Sequence, residues 1–155
     1  MLRRAILVDP NAKRLERARR AIGDATLTTF TDFQSAREQL LRAHPQFLAT
    51  TLRLGAYNGL HLVHLVASLH IDARCLVYSE WPDLVLAREA LRAGAFYEDA
   101  SRVPYALSSY LKAALPDHDR RSPEWFDRRT TRRGGRRAAD AVLFAQGTDQ
   151  PVSLS

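Results

Sequence analysis

The sequence predicts an α/β fold in which a doubly wound, five-stranded parallel sheet is followed by a mostly irregular C-terminal tail. Short apolar runs that suit buried strands alternate with segments whose apolar residues recur at helical spacing. The apolar runs show little polar alternation, which is typical of parallel strands covered by helices on both faces. Right-handed crossovers between such strands place functional groups at the carboxyl ends of the strands.

Local signals delimit the first two strand–helix units. The apolar run 5–8 predicts a strand, and apolar residues at helical spacing predict a helix over 13–22 that a glycine ends. β-Branched residues predict a short strand over 26–30. Asp32 can accept hydrogen bonds from the first turn of a helix over 33–43.

The other three units follow Pro45, which breaks the chain after the second helix. A Gly-Ala-Tyr-Asn-Gly stretch after the third strand predicts a loop. Pro82 lies where the first turn of a helix tolerates proline, and Gly94 ends that helix. The predicted strands span 47–51, 74–78 and 95–98, and the predicted helices span 60–69, 83–93 and 104–115.

The composition changes after the last predicted helix. We assign residues 1–116 to a compact domain, 117–146 to an arginine-rich segment and 147–155 to a disordered tail. Residues 117–137 hold eight arginines and few aliphatic residues, so this stretch cannot bury enough apolar surface to fold alone. The whole chain carries a net charge of +6, which favours anionic partners.

The sequence indicates no secretory or membrane-spanning segment. The first apolar run is short and ends at Asp9, and the longest uncharged stretch, 54–71, contains glycine, asparagine and histidine. Cys75 is the only cysteine and lies in an apolar run, which predicts a buried thiol. We therefore expect a cytoplasmic protein without an internal disulfide.

Three stretches together resemble a known family. Residues 5–9 read Ala-Ile-Leu-Val-Asp, residues 52–60 read Leu-Arg-Leu-Gly-Ala-Tyr-Asn-Gly-Leu, and residues 87–95 read Ala-Arg-Glu-Ala-Leu-Arg-Ala-Gly-Ala. Over residues 3–115 the pattern resembles the CheY-like receiver domain of bacterial response regulators, which has a flavodoxin-like fold. The resemblance implies signal transduction in a two-component system and a protein partner such as a histidine kinase.

Most of the residues that receivers use for phosphorylation are replaced. Receivers hold Mg²⁺ with an acidic pair, accept phosphate on an aspartate, and use a hydroxyl and a lysine. In this chain the acidic pair falls on Asp9 and Pro10, the acceptor on Thr51, the hydroxyl on Ser79, and the lysine on Ser101 or the alanine before it. One aspartate and a threonine make a poor Mg²⁺ site, and a threonine cannot form an acyl phosphate. The resemblance therefore implies a pseudo-receiver without aspartyl phosphorylation, bound metal or enzymatic activity.

The arginine-rich segment has a regular pattern. Arginine pairs recur every four residues, at Arg128, Arg129, Arg132, Arg133, Arg136 and Arg137. Asp127 and Asp140 flank these pairs, and Trp125 can stack on a purine. Arginine can bind guanine O6 and N7 or a phosphate, while a carboxylate can accept from the N1–H and N2–H₂ edge of guanine. The pattern favours a guanine nucleotide ligand, with a nucleic-acid contact and a solvated linker as open alternatives.

This tail, placed after a degenerate receiver, is similar to that of the Cle group. Members are CheY-like proteins whose arginine-rich stretch binds cyclic di-GMP and which act at the flagellar motor. The spacings R-x-x-D at 137–140 and R-x-x-x-R at 128–132 carry the similarity. It implies that the six arginines and Asp140 bind cyclic di-GMP, that the flagellar motor switch is the partner, and that chemotaxis or flagellar motility is the process. A nucleic-acid-binding or kinase-scaffolding adaptor is the alternative.

Aromatic residues near the degenerate site have roles that the sequence leaves open. Trp81 is either a partner contact or a lid over the site. Either Tyr97 or Glu98 occupies the position of the receiver switch aromatic. In receivers, partners dock on the fourth helix, fifth strand and fifth helix, which makes Tyr105 and Tyr110 further candidates by resemblance.

Overall fold

The computed structural model describes residues 4–23 and 27–112, and within them five parallel strands form one sheet. The elements in chain order are β1 (Ala5–Val8), α1 (Ala12–Ile22), β2 (Leu27–Phe30), α2 (Phe33–Ala43), β3 (Phe47–Thr51), β4 (Arg53–Leu54), β5 (Tyr57–Asn58), α3 (Leu60–Ser68), β6 (Arg74–Ser79), α4 (Leu84–Arg92), β7 (Phe96–Asp99) and α5 (Val103–Lys112). The strand order in the sheet is β2-β1-β3-β6-β7. The predicted fold class is confirmed.

The core lies on both faces of this sheet. Every residue of β1 and β3 is buried. Since successive strand residues point to opposite faces, burial of a whole strand requires cover on both sides. Leu7 and Leu76 belong to a buried cluster that includes residues of α1 and α5, among them Leu15 and Leu107. Each fully buried leucine stabilises the fold by about 1.5–3 kcal/mol relative to an exposed one.

Side-chain caps begin three of the helices. Asn11 Oδ1 accepts from the backbone N–H of Arg14 at 3.2 Å, and Asp32 accepts from Ser35 at 2.8 Å. Asp83 does the same at the start of α4. The predicted Asp32 cap is confirmed. The Asn11 cap matters for the site, because it places Arg14 in the first turn of α1, directly after the carboxyl end of β1.

The stretch predicted as a loop after β3 forms the turn and the second strand of a small antiparallel hairpin, whose strands are β4 and β5. Its turn includes Gly55, whose φ of +64° favours glycine. The hairpin packs on the start of α2, where the Phe33 and Tyr57 rings stack with centroids 4.4 Å apart. Gln34 also donates to the Tyr57 hydroxyl at 3.1 Å. The loop prediction missed these strands, because strands of two residues are too short to show the alternation of apolar and polar residues that predicts a strand.

Gly59 anchors the segment between this hairpin and α3. Its N–H donates to the Leu52 carbonyl at 2.8 Å. A Cβ at this position would lie 2.1 Å from the Thr51 carbonyl oxygen and 2.8 Å from Thr50 Oγ1. Only a residue without a side chain allows the start of α3 to pack this closely on the end of β3.

The arginine-rich segment lies outside the described residues, as do the predicted domain boundaries at 116 and 146 and the predicted end of the last helix. Nucleotide binding by that segment therefore stays a prediction. The same holds for the three-part division of the chain.

Two further expectations concern the described part of the chain. Cys75 is buried, which confirms the predicted buried thiol, and burial raises the pKa of the thiol to about 12. None of the helices within residues 4–23 and 27–112 has the length and apolar character needed to cross a membrane.

Candidate functional site

The carboxyl edge of the sheet brings together three of the five residues that the resemblance assigns to receiver phosphorylation positions. Asp9 follows β1, Thr51 ends β3 and Ser79 ends β6, and all three are buried. These strands are neighbours in the sheet, so the three side chains belong to one edge. Pro10 is exposed. Ser101 is also exposed and lies in a 3₁₀ turn after β7, where its hydroxyl donates to Asp99 Oδ1.

The Asp9 carboxylate has protein donors on both oxygens. Arg14 Nη1 donates to Oδ2 at 2.6 Å, and the Tyr78 hydroxyl donates to the same oxygen at 2.7 Å. The backbone N–H of Asn11 donates to Oδ1 at 2.8 Å. Asp9 is only 1% exposed, so water cannot hydrate its carboxylate, and these protein donors take the place of that water. Its charge is neutralised by a guanidinium of the same chain.

Arg14 connects two loops of the site. Nη1 binds Asp9 while Nη2 pairs with Glu80 Oε1, in the loop between β6 and α4. The guanidinium carbon also lies 5.8 Å from the centre of the Tyr78 ring, which is within cation–π range. Burial opposes the charge, but the hydrogen bonds to Glu80 and Asp9 outweigh burial and raise the pKa of Arg14. The guanidinium is therefore a permanent internal cation.

Tyr78 supplies the second side-chain donor to Asp9. Its side chain is fully buried at the end of β6. Burial, and then the neighbouring Asp9 charge, raise the pKa of Tyr78 well above its ordinary value. The hydroxyl consequently keeps its proton throughout the physiological pH range and remains a hydrogen-bond donor.

These residues do not fit Mg²⁺, the metal that receiver domains use. Mg²⁺ prefers several hard oxygen ligands in octahedral geometry, with carboxylates among them. Asp9 supplies the one carboxylate of the acidic pair, and arginine and tyrosine already bind it. Pro10 and Thr51 offer no second carboxylate. Within residues 4–23 and 27–112, no group of three potential metal-binding His, Cys, Asp or Glu residues occurs.

Of the two candidates for the switch-aromatic position, Tyr97 is the buried one. Tyr97 is buried on β7, and burial raises its pKa while a hydrogen bond with Ser79 opposes the rise. Glu98 instead accepts from the Tyr110 hydroxyl at 2.9 Å. The aromatic side chain therefore joins the retained hydroxyl of Ser79 inside the fold.

Trp81 lies in the loop beyond Ser79. The Ser79 hydroxyl donates to the Trp81 carbonyl oxygen, which ties the backbone of the loop to the end of β6. The Trp81 residue is 70% exposed. Such exposure favours the role of a partner contact over that of a lid, since a lid would bury its ring against the site.

Sequence reasoning missed three members of this site. Arg14, Tyr78 and Glu80 received no role from the sequence. A partial signal existed for Arg14, because Asn11 is a favoured N-cap residue and so predicts that Arg14 lies in the first turn of the helix that follows β1. Tyr78 also stood out as a polar-tipped aromatic that closes an apolar strand.

Comparisons with known proteins identify the fold. No protein-family model matches the sequence, and no curated protein matches it either. Among solved structures, the chain is similar to a LuxR-family two-component response regulator from Aurantimonas, with 22% identity, a TM-score of 0.67, and coverage of 86% of this chain and 99% of that chain. It is also similar to a CheY-like receiver domain protein from Methanospirillum hungatei, with 16% identity, a TM-score of 0.66, and coverage of 72% and 92%.

A third similar structure is the signal receiver domain of a Luxo repressor protein from Vibrio parahaemolyticus, with 17% identity, a TM-score of 0.63, and coverage of 72% and 92%. At these identities the likeness shows the fold. The described part of the chain has the fold of a response-regulator receiver domain.

Proposed function

We propose that this protein is a cytoplasmic, non-enzymatic signalling adaptor of the receiver type whose output is independent of aspartyl phosphorylation. The occupation of the Asp9 carboxylate by Arg14 and Tyr78 is the observation that carries the proposal. The resemblance assigns the acceptor position to Thr51, which ends β3. A threonine has a hydroxyl in place of the carboxylate that an acyl phosphate requires. The resemblance assigns the lysine position to Ser101 or Ala100, and neither residue brings a positive charge to balance a phosphoryl group.

Incubation with acetyl phosphate and millimolar Mg²⁺ tests this independence. We expect intact-mass spectrometry to show no phosphate adduct on the full chain, because the acceptor carboxylate is missing and the remaining one is engaged. A phosphorylatable receiver domain, treated in parallel, controls for the reagent. A stoichiometric adduct that hydroxylamine removes would indicate an acyl phosphate and contradict the proposal.

The proposed input is cyclic di-GMP, bound by the arginine-rich segment. The support is the sequence pattern of three arginine pairs with Asp127 and Asp140 beside them, together with the resemblance to the Cle group. Arginine forks suit both the phosphates and the O6 and N7 atoms of guanine, and a carboxylate suits the opposite guanine edge. Trp125 adds a stacking surface for a purine.

Isothermal titration calorimetry with the full chain tests this input. We expect cyclic di-GMP to bind, and replacement of all six paired arginines by alanine to weaken binding by at least about 100-fold, or about 2.7 kcal/mol. A matched control removes the same formal charge from exposed positions of the folded part: Arg17, Arg20, Arg37, Arg42, Arg53 and Arg92. The control variant should retain its affinity for cyclic di-GMP. Equal losses in both variants, or no binding by the wild type, would contradict the proposal.

The nucleic-acid alternative predicts a different result in the same measurement. A nonspecific basic tail would bind single-stranded RNA at least as well as cyclic di-GMP, and its affinity would fall steeply with salt. Titrations at two salt concentrations therefore separate the two ligands.

The proposed output is docking on a protein partner, and the partner that the resemblance names is the flagellar motor switch. Large apolar side chains are exposed at the start of α4 and on α5, namely Trp81, Leu84, Val85 and Tyr105. Aromatic residues of this kind are common anchors of protein interfaces. If the protein instead scaffolds a histidine kinase through the folded part alone, deletion of residues 117–155 will leave partner binding intact.

A further inference from the structure

The loop between β6 and α4 is attached to the fold mainly through polar contacts. Its first residue, Glu80, pairs with Arg14, and the Trp81 carbonyl accepts from the Ser79 hydroxyl. Burial contributes little to its position, because Trp81 is 70% exposed and the Glu80 side chain is 51% exposed. The large apolar side chain of Trp81 is thus exposed to solvent, on a loop whose position does not depend on hydrophobic packing.

The other end of the same contact is buried. Arg14 has a side chain only 14% exposed, and its second nitrogen binds Asp9, which is 1% exposed. Tyr78 supports both partners, since its hydroxyl donates to Asp9 and its ring lies beneath the guanidinium. Arg14 therefore links the buried Asp9 at the end of β1 with an exposed loop. Glu80, the loop residue that it contacts, lies 66 positions after Arg14 along the chain.

We propose that the Arg14 guanidinium is a built-in counterion that holds the β6–α4 loop in one position, so that Trp81 is presented without any contribution from Mg²⁺ or phosphate. This inference rests on the proposed phosphorylation-independent output and gives it a structural cause. The donor set at Asp9 does not fit Mg²⁺, and the guanidinium supplies the positive charge there instead. A loop held in advance loses less conformational entropy when a partner docks on Trp81.

The tether is tested by Glu80→Gln in a Trp125→Phe background, where Trp81 is the one remaining tryptophan. This substitution removes the charge at the exposed end and leaves the buried Asp9–Arg14 pair in place. We expect the backbone amides of Glu80, Trp81 and Asp83 to exchange with solvent about fivefold faster, since an ion pair of this exposure contributes modestly. The fluorescence anisotropy of Trp81 should fall at the same time, while the melting temperature stays unchanged.

Glu89→Gln in the same background is the matched control. Glu89 pairs with Arg92 within α4 and has a similar exposure, 45%, but its ion pair does not reach the loop. We expect this variant to leave unchanged both the amide exchange rates of Glu80, Trp81 and Asp83 and the anisotropy of Trp81. Identical behaviour of the two variants would overturn the tether.

Mg²⁺ provides the second test. Millimolar Mg²⁺ should leave the Trp81 anisotropy of the wild-type loop unchanged in the Trp125→Phe background. A saturable change that disappears with Asp9→Asn would show that Asp9 accepts the metal, and it would overturn the role of Arg14 as counterion. These outcomes are separable from the failure of the proposed function: an acyl phosphate adduct would refute phosphorylation-independence even if Glu80→Gln released the loop.

Discussion

Replacement of Arg14 by methionine is expected to lower the free energy of unfolding by about 3–5 kcal/mol, the range for removing one partner of a buried ion pair. Methionine retains much of the aliphatic volume, so the loss reflects charge rather than a cavity. Asp9 would remain 1% exposed with the Tyr78 hydroxyl and one backbone N–H as donors and without a counterion. Urea denaturation monitored by circular dichroism measures the change.

Two further variants make the result specific. Arg17→Met, on the same helix but exposed, should change the free energy of unfolding by no more than about 0.5 kcal/mol. Asp9→Asn combined with Arg14→Met should recover much of the loss, because the uncompensated buried charge is then absent. If the losses from the two single substitutions simply add, Asp9 and Arg14 do not form the coupled pair that the structure shows.

Gly59→Ala is expected to destabilise the fold by about 2–3 kcal/mol, a loss typical of overpacking. The added Cβ would lie 2.1 Å from the Thr51 carbonyl oxygen, which is much shorter than a van der Waals contact. This oxygen belongs to the backbone, which cannot move aside as the end of a flexible side chain can. The start of α3 would have to move away from the end of β3, and the hydrogen bond from Gly59 to Leu52 would lengthen. Urea denaturation of the variant gives the magnitude.

Gly55→Ala separates this steric clash from the general effect of replacing a glycine. No atom lies within 4 Å of a Cβ at Gly55, but its φ of +64° makes an L-residue unfavourable by about 1 kcal/mol. Gly59 has a helical φ, so its predicted loss arises from contact alone. A Gly59→Ala variant no less stable than Gly55→Ala would show that α3 can shift freely, contrary to the close packing.

Much of the fold was readable from local sequence. The apolar runs, the capping residue Asp32 and the glycines that end helices located the five strands and five helices of the main domain to within a few residues. The resemblance to receiver domains picked out Asp9, Thr51 and Ser79, and all three lie at the carboxyl edge of the sheet, where parallel strands end together. Such features depend on backbone propensity and periodicity, which neighbouring residues determine.

The chemistry of the candidate site depended on contacts between distant parts of the chain. Whether Arg14 reaches Asp9 or points to solvent depends on a side-chain rotamer at the start of α1. Whether Tyr78 reaches the same carboxylate depends on how β6 lies against β3 and β1, across 69 positions of sequence. No local pattern encodes either distance.

The sequence was sufficient to predict the fold class. The resemblance to receiver domains implied the loss of the receiver carboxylate and lysine, since absent functional groups can be read from residue identity alone. The tertiary structure was needed to find what replaces them: the Arg14 cation, the Tyr78 hydroxyl and the pairing with Glu80. It also selected Tyr97 over Glu98 as the buried residue and placed Trp81 in solvent. The physical reason is that ion pairs and buried hydrogen bonds depend on distances of a few ångströms, which the packing of helices on the sheet determines.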